Sequence, residues 1–283
     1  MTNRLRKIDI GKIYLENLIC EGKRNLIFLK KGTFRMNLNH LDQQSIENMK
    51  QLQGNDYPGR GIVIGMSPYG KNYIQIYWIM GRSENSRNRI FDMDGNCVRT
   101  KAFDESKMTD PSLIIYHPIK VIKDYHIVGN GDQTDTIYDY IVNGSTFESA
   151  LNTREFEPDA PNYTPRISGI IDLTKENPNY SLSILKAMNG DENICQRNYY
   201  HYSSFYKGFG HCIHTYKEDG NPIPSFEDEP FVVNLFDDMD ENADYFWKLL
   251  NDYNKISLLV KYIDVISKEV KISIRNKNSG QLL

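Results

Sequence analysis

"GRGIVIGMSPYGKNYIQIYWIM", Gly59–Met80, holds two apolar runs rich in β-branched and aromatic residues on either side of Ser67-Pro68-Tyr69-Gly70, a turn sequence. It reads as a hairpin, and the chain around it reads the same way. Asp94-Gly95 marks a second hairpin between "NRIFDM" and "NCVRTKAF". "SLIIYHPIKVI", "YHIVGNG", "RISGIIDL", "YSLSILKAM", "NYYHYSSFY", "GHCIHTY", "PFVVNLF", "KISLLVKYIDVI" and "EVKISIR" read as further strands, several with strict alternation.

Helices are few. Leu41, Ile46, Met49 and Leu52 at roughly helical spacing predict a helix over His40–Leu52, with Gly54 just past its end. "TDTIYDYIVNG" reads as a helix stopped by Gly144, and "STFESAL" opens another with a capping-box pattern from Ser145 to Glu148. "ENADYFWKLLNDY" carries Phe246, Leu249, Leu250 and Tyr253 at helical spacing. Strands that mostly follow strands argue for antiparallel sheets with helices packed outside, an α+β fold, and against a doubly wound parallel sheet. Continuous apolar runs such as Leu113–Ile115 predict strands buried on both faces, as in two stacked sheets. Residues 1–40 differ in texture and form an extension of uncertain fold, with only "NLIFLKKG", Asn25–Gly32, strand-like; residues 41–283 form the main domain.

The 283-residue chain is long enough for a real core, and its net charge of −3 supplies no global field toward nucleic acid or anionic lipid. Cys20, Cys97, Cys195 and Cys212 are scattered without a CxxC pair, which predicts free thiols in a reducing compartment. No apolar run approaches a membrane span and the N-terminus is a poor secretory signal, so a soluble, cytoplasmic protein is expected. A homo-oligomer is left open.

Common motifs fail. There is no GxGxxG after the first strand, and the nearest approach to a P-loop, Gly65 to Lys71, lies on a hairpin with Asn72 where Ser or Thr is needed. His211 and His214 form an HxxH, but on a strand positions three apart face opposite ways, so a structural role is favoured over a metal. What remains is a set of dense polar sequences at strand ends. In "YWIMGRSENSRNR", Tyr77–Arg89, the guanidiniums of Arg82, Arg87 and Arg89 with Ser83 and Asn88 either grip an anion or form a solvated turn paired with Glu84 and Asp92.

Six such motifs in order, "YPGRGIVIG", "YWIMGRSENSRNR", "LIIYHPIKV", "NGDQTDTI", "EPDAPNYTPRISG" and "GHCIHTYKEDGNPIPSFEDEP", resemble the IMP cyclohydrolase-like family, that of the archaeal-type IMP cyclohydrolase. The resemblance runs from about Tyr57 to Pro230, less sharply to Asp264, and does not cover residues 1–40. It implies a four-layer αββα sandwich similar to the N-terminal nucleophile hydrolases. Those enzymes use a Cys, Ser or Thr at the start of the first strand, where this chain has Tyr57-Pro58-Gly59-Arg60, so self-processing is not expected. It implies ring closure of 5-formamidoimidazole-4-carboxamide ribotide (FAICAR) to IMP with loss of water, the last step of purine nucleotide synthesis. That chemistry requires no metal and no cofactor, only a small-molecule nucleotide as partner.

On this resemblance, Arg82, Arg87 and Arg89 with Ser83 and Asn88 are expected at the phosphate, with Arg60 and Arg166 adding to that cradle or holding the base. Tyr116 is the expected proton donor to the formyl oxygen, and Glu157 or Asp159 the carboxylate for proton transfer. Asn130, Asp132, Asp135, Asn162 and Thr164 are expected on ribose or carboxamide edges. The chain departs from the family pattern at Phe209, within Gly208–His211 where GEGH is expected, and at Asp228, where glycine is expected. Two other functions compete: an amide hydrolase or cyclase on a related nucleotide, and a non-catalytic purine-nucleotide-binding protein.

Overall fold

β1 (Gly61–Met66) and β2 (Asn72–Met80) pair antiparallel from Gly61↔Trp78 to Met66↔Tyr73, as the hairpin sequence predicts. The computed structural model describes residues 35–108, 111 and 114–278. The strand expected over Asn25–Gly32 and the expected extension up to residue 34 lie outside them. The chain divides into two units between His40 and Leu41, and both sheets belong to the second.

Around that hairpin a six-stranded sheet forms in the order β11-β10-β1-β2-β12-β13, with β10 Phe209–His214, β11 Phe231–Asn234, β12 Lys255–Asp264 and β13 Val270–Asn276. A seven-stranded sheet runs β3 to β9 in chain order: β3 Arg89–Asp94, β4 Cys97–Ala102, β5 Ile119–Ile122, β6 Tyr125–Gly129, β7 Arg166–Asp172, β8 Asn179–Met188 and β9 Asp191–Tyr202. All pairings between these strands are antiparallel. Among the described residues the α-helices are α1 (Arg35–Gly54), one-turn α2 (Glu84–Arg87), α3 (Gln133–Val142), α4 (Phe147–Leu151) and α5 (Met239–Leu249). The fold is α+β with two antiparallel sheets, and among the described residues no helix is long and apolar enough to cross a membrane.

Alternation within the strands sorts the apolar side chains into layers. Ile62, Ile64, Tyr77 and Ile79 of the first sheet meet Phe91, Val98, Val128, Ile167 and Ile184 of the second in one buried cluster. Val63, Ile76 and Trp78 point the other way, onto Met49 and Leu52 of α1 and Phe246 of α5. On the second sheet, Ile127, Ile170 and Leu185 pack with Ile137 of α3 and Phe147 and Leu151 of α4.

Three sequence expectations need correction. Of the run predicted as one strand from Ser112 to Ile122, the described residues 114–122 form a strand only over Ile119–Ile122, because Pro118 has no N–H for a ladder; Ile115 is exposed, and Ser112 and Leu113 lie outside the described residues. The cap of α4 is Thr146, which accepts from the Ser149 N–H; the Ser145 N–H still bonds to Tyr140 O and closes the preceding turn. β9 begins at Asp191, seven residues before the "NYYHY" run, because Asn189 and Gly190, both at positive φ, make the tight hairpin that an Asn-Gly pair favours. Phe209 sits at the far end of β1 from Arg60, since β10 pairs Gly210 with Gly65 and His214 with Gly61.

One polar chain crosses the inter-sheet layer away from that end. Lys261 Nζ donates to Gln75 Oε1 at 3.1 Å, and Gln75 Nε2 donates to His126 O at 3.0 Å. All three residues are buried, and burial pushes the Lys261 ammonium from its ordinary 10.5 down to about 7. Between these values the unfolded chain binds a proton that the folded chain does not, so stability rises with pH from about 7 toward 10, at ~1.4 kcal/mol per pH unit for this group alone. Chemical denaturation at several pH values between about 7 and 9.5 should show that rise. The variant Lys261→Met should flatten it; an unchanged slope in the variant would assign the effect elsewhere.

Candidate active site

The chain approaches β1 through Tyr57-Pro58-Gly59-Arg60, held against the end of β10 by Thr215 N–H to Arg60 O (2.9 Å), Arg60 N–H to Thr215 Oγ1 (3.1 Å) and Tyr216 N–H to Pro58 O (3.2 Å). Gly59 adopts φ +75°, and a Cβ there would lie 2.2 Å from Thr215 Oγ1, so only glycine allows this approach. Arg60 is thereby placed beside Tyr57, Tyr216, Glu157 and Tyr116. Burial pulls its pKa down, and those four acidic groups more than reverse that, raising it above the usual range.

Tyr116 does not end a strand. It lies in the irregular segment before β5, where its N–H donates to Thr100 Oγ1 at 2.9 Å and its carbonyl accepts from the Thr100 N–H at 2.9 Å. Its hydroxyl meets that of Tyr77 on β2 at 2.7 Å, and both rings are buried. Burial raises the Tyr116 pKa, against the pull of Arg89 and Arg60. Arg89, at the first position of β3 and 1 % exposed, gives its Nε–H to Ser86 O at 2.8 Å. Burial, then the neighbouring Arg60 charge, lowers its pKa.

The loop between α4 and β7 brings the carboxylates. Glu157 is 3 % exposed; its N–H donates to Thr164 O. Burial drives its carboxyl up to about 7, against Arg60 and Arg166, with Asp159 adding to the rise. Arg166, at the start of β7 and 5 % exposed, donates from Nη1 to Asp132 Oδ1 (2.6 Å) and Gln133 Oε1 (2.8 Å). A Cβ on Gly131 would lie 2.6 Å from Arg166 Nη1 and 3.3 Å from Glu157 Oε1, so bare backbone at that position lets the pair converge. Asp159 accepts from the Thr164 N–H (2.6 Å) and hydroxyl (2.5 Å), and Thr164 Oγ1 lies 2.5 Å from the Tyr216 hydroxyl.

Arg60, Arg89, Arg166, Tyr116 and Glu157 thus gather in one cluster, with Asp159 and Thr164 at its edge. Three of its guanidinium N–H groups, Arg60 Nε, Arg89 Nη2 and Arg166 Nε, are buried with no partner among the described residues. Buried donors left unmatched are rare in folded proteins and mark a place where an acceptor is missing.

The other expected residues are engaged elsewhere. Arg82 binds Asp219 (2.5 Å) and Gly220 O (2.8 Å), its guanidinium 5.2 Å from the Tyr57 ring centre. Arg87 lies 3.9 Å over Tyr253, with Nε donating to Gly81 O. Ser83 caps α2, and Asn88 bonds both ways with the backbone of Asp104. Neither Glu84 nor Asp92 is the arginines' partner; Asp92 pairs with Arg99 and Lys101. Asn130 is consumed by Pro165 O, the Ile167 N–H and Gln133. Asp132 pairs with Arg154 and Arg166, Asp135 with Lys120, and Asn162 accepts from the Ile223 N–H. His211 Nδ1 shares a hydrogen bond with the Tyr180 hydroxyl at 2.6 Å, and His214 Nδ1 one with Tyr216 O at 2.8 Å. Sequence reasoning missed Tyr77, Tyr57 and Tyr216, although each stands in a motif that was quoted; the available signal was a tyrosine within the first third of each motif.

A family model described as IMP cyclohydrolase-like protein matches residues 57–269. IMP cyclohydrolases of Methanococcus maripaludis are similar to the chain. That of strain C7 is 34% identical over 125 residues, or 42% of this chain and 59% of the relative. That of strain C6 is 33% identical over 125 residues, with the same coverage. The alignment thus spans less than two thirds of the length of these relatives.

Glu157 should titrate near 7, read as the carboxyl signal present in wild type and missing from Glu157→Gln by carbon-13 NMR. Arg60→Gln should push it higher, because a cation favouring the ionised form is removed. A midpoint in the ordinary carboxylate range would show that Glu157 is solvated.

Proposed function

The chain belongs to the IMP cyclohydrolase-like family, and on that premise we propose that it converts FAICAR to IMP. The observation that carries the reading is the buried Glu157, shifted to about 7, shut in with unmatched guanidinium donors and the Tyr116 hydroxyl. We take residues 41–283 as the catalytic domain and the two sheets with their outer helices as the four-layer arrangement of the N-terminal nucleophile hydrolases.

The reaction is intramolecular, so the protein's task is to hold two groups in contact and move protons. The carboxamide nitrogen attacks the formyl carbon and gives up one proton, while the formyl oxygen takes one. The resulting hydroxyl then leaves as water with a second proton, and the former formamide nitrogen loses its own. Tyr116 donates to the formyl oxygen and recovers a proton from the former formamide nitrogen, and Tyr77 fixes the direction of its hydroxyl. Arg60 and Arg89 face the negative charge that develops on that oxygen. Glu157 near 7 accepts the carboxamide proton and returns one to the leaving hydroxyl, the two-way role that a group matched to neutral pH performs best. Asp159, committed to Thr164, orients the loop. Arg82 closes over Tyr57 at the rim.

Purified protein mixed with FAICAR should form IMP faster than buffer, followed by absorbance and chromatography; folded protein without acceleration refutes the proposal. Tyr116→Phe should lower kcat by roughly 100-fold or more with KM changed only a few-fold. The ratio kcat/KM should rise with pH through about 7, because Glu157 works from its ionised form, and Glu157→Gln should abolish that limb along with most activity. Tight IMP binding without turnover would favour the non-catalytic reading.

A further inference from the structure

The proposed reaction needs a ribotide in contact with Tyr116, Glu157 and Arg89, yet all three are buried. A nucleotide cannot touch them together through the surface as it stands, so the structure is a closed form and an element over the cluster must move. Much of the wall is fixed. Tyr77 and Arg89 stand on β2 and β3, within backbone ladders. Arg60 is clasped by Thr215, and the Glu157 loop is tied to Thr164 and through its hydroxyl to Tyr216.

The excursion between Tyr216 and Ser225 is held differently. These two residues pair antiparallel, and Lys217 N–H to Pro224 O (2.9 Å) and Phe226 N–H to Thr215 O (3.0 Å) complete a short stem. Beyond the stem, residues 218–223 reach from the end of β2 to the Glu157 loop. Arg82 donates from Nη1 to Asp219 Oδ1 (2.5 Å) and Gly220 O (2.8 Å), and the Ile223 N–H donates to Asn162 Oδ1 at 3.2 Å. Ile223 is buried in the apolar cluster that holds Tyr57 and Tyr216. The Arg82 guanidinium lies over Tyr57, whose ring stacks on Tyr216 at 5.8 Å between centres. The tip therefore caps the two tyrosines beside Arg60. Its ion pair is partly open to solvent, the side chains of Arg82 and Asp219 being 35% and 47% exposed. Such pairs contribute little to stability, so the tip is held more loosely than its stem.

We propose that residues 218–223 form a lid over the reaction cluster, latched by the Arg82–Asp219 ion pair, and that the lid opens to admit and release the ribotide. This rests on the function proposed above. Arg82 then acts as a gating residue that touches none of the reacting atoms. A latch screened by solvent breaks and re-forms while the stem stays paired, as a lid in turnover must.

Amide exchange followed by NMR on the full chain, with and without IMP, reads the lid directly. The Ile223 N–H should exchange at least ~10-fold faster than the Phe226 N–H of the stem, and saturating IMP should slow it toward the stem rate. Asp219→Asn removes the charge of the latch and keeps the oxygen that accepts the Gly220 N–H. It should speed both Ile223 exchange and IMP association by about 2- to 5-fold, with folding verified by thermal melting. Glu218→Gln removes a neighbouring charge outside the latch, so it controls for simple attraction of the anion and should change neither rate. An Ile223 amide as protected as that of Phe226, or equal effects of Asp219→Asn and Glu218→Gln on association, overturns the lid. Absence of FAICAR turnover in wild type strikes the proposed function instead. If IMP also fails to bind, the lid is judged on the free protein: faster Ile223 exchange that Asp219→Asn speeds further sustains it, and exchange unmoved by Asp219→Asn removes it.

Discussion

The contact between the hydroxyls of Tyr77 and Tyr116, 2.7 Å apart and buried, joins the two sheets at an end where their interface turns polar. Tyr77 belongs to the centre of the six-stranded sheet and Tyr116 to the chain entering the seven-stranded one. Elsewhere the layer between them is filled by side chains such as Ile62, Ile64, Val128 and Ile167. A lone hydroxyl in such a layer would be left without the bonds water gave it. Two that satisfy each other can be buried, and their oxygens then offset the desolvation of Arg60 and Arg89 alongside. The site is a polar margin of a largely apolar interface, which is why its members come from both sheets.

Within that margin, commitment separates framework from chemistry. Asp132, Asp159, Asn130 and Thr164 have their polar atoms taken by neighbours and set the shape of the loops. Glu157 has cations near it, acting through charge, and the guanidiniums keep N–H groups in reserve. A carboxylate with its own hydrogen bonds would stay ionised and inert at neutral pH. Glu157 instead balances burial against three positive charges, and the balance falls near 7.

Much of this was legible in the sequence. Apolar β-branched runs and turn chemistry gave the two-sheet class and most strand positions, because strand burial writes itself into local composition. Arg60, Arg89, Arg166, Tyr116 and Glu157 were singled out from motifs at strand ends, and they come together. Arg82 and Arg87 were grouped with Arg89 because they are near in sequence. The one-turn helix α2 sends them to different sides, and a four-residue helix leaves almost no periodicity to read. Tyr77 was hidden for another reason: within "IQIYWIM" an inward tyrosine looks like any strand aromatic until the facing hydroxyl is known.

The strand order of the smaller sheet has a bearing on synthesis. β1 and β2 are made well before their outer neighbours β10 and β12, which begin at Phe209 and Lys255, yet they occupy the middle of that sheet. Until those segments emerge, the hairpin presents two open apolar edges, the kind of surface that recruits foreign strands. Arg60 likewise gains its backbone partner only when Thr215 arrives. The nascent chain therefore carries these two strands with open edges until β10 and β12 have been made. Cover for the β1 edge and the Thr215 clasp on Arg60 arrive with the same later segment.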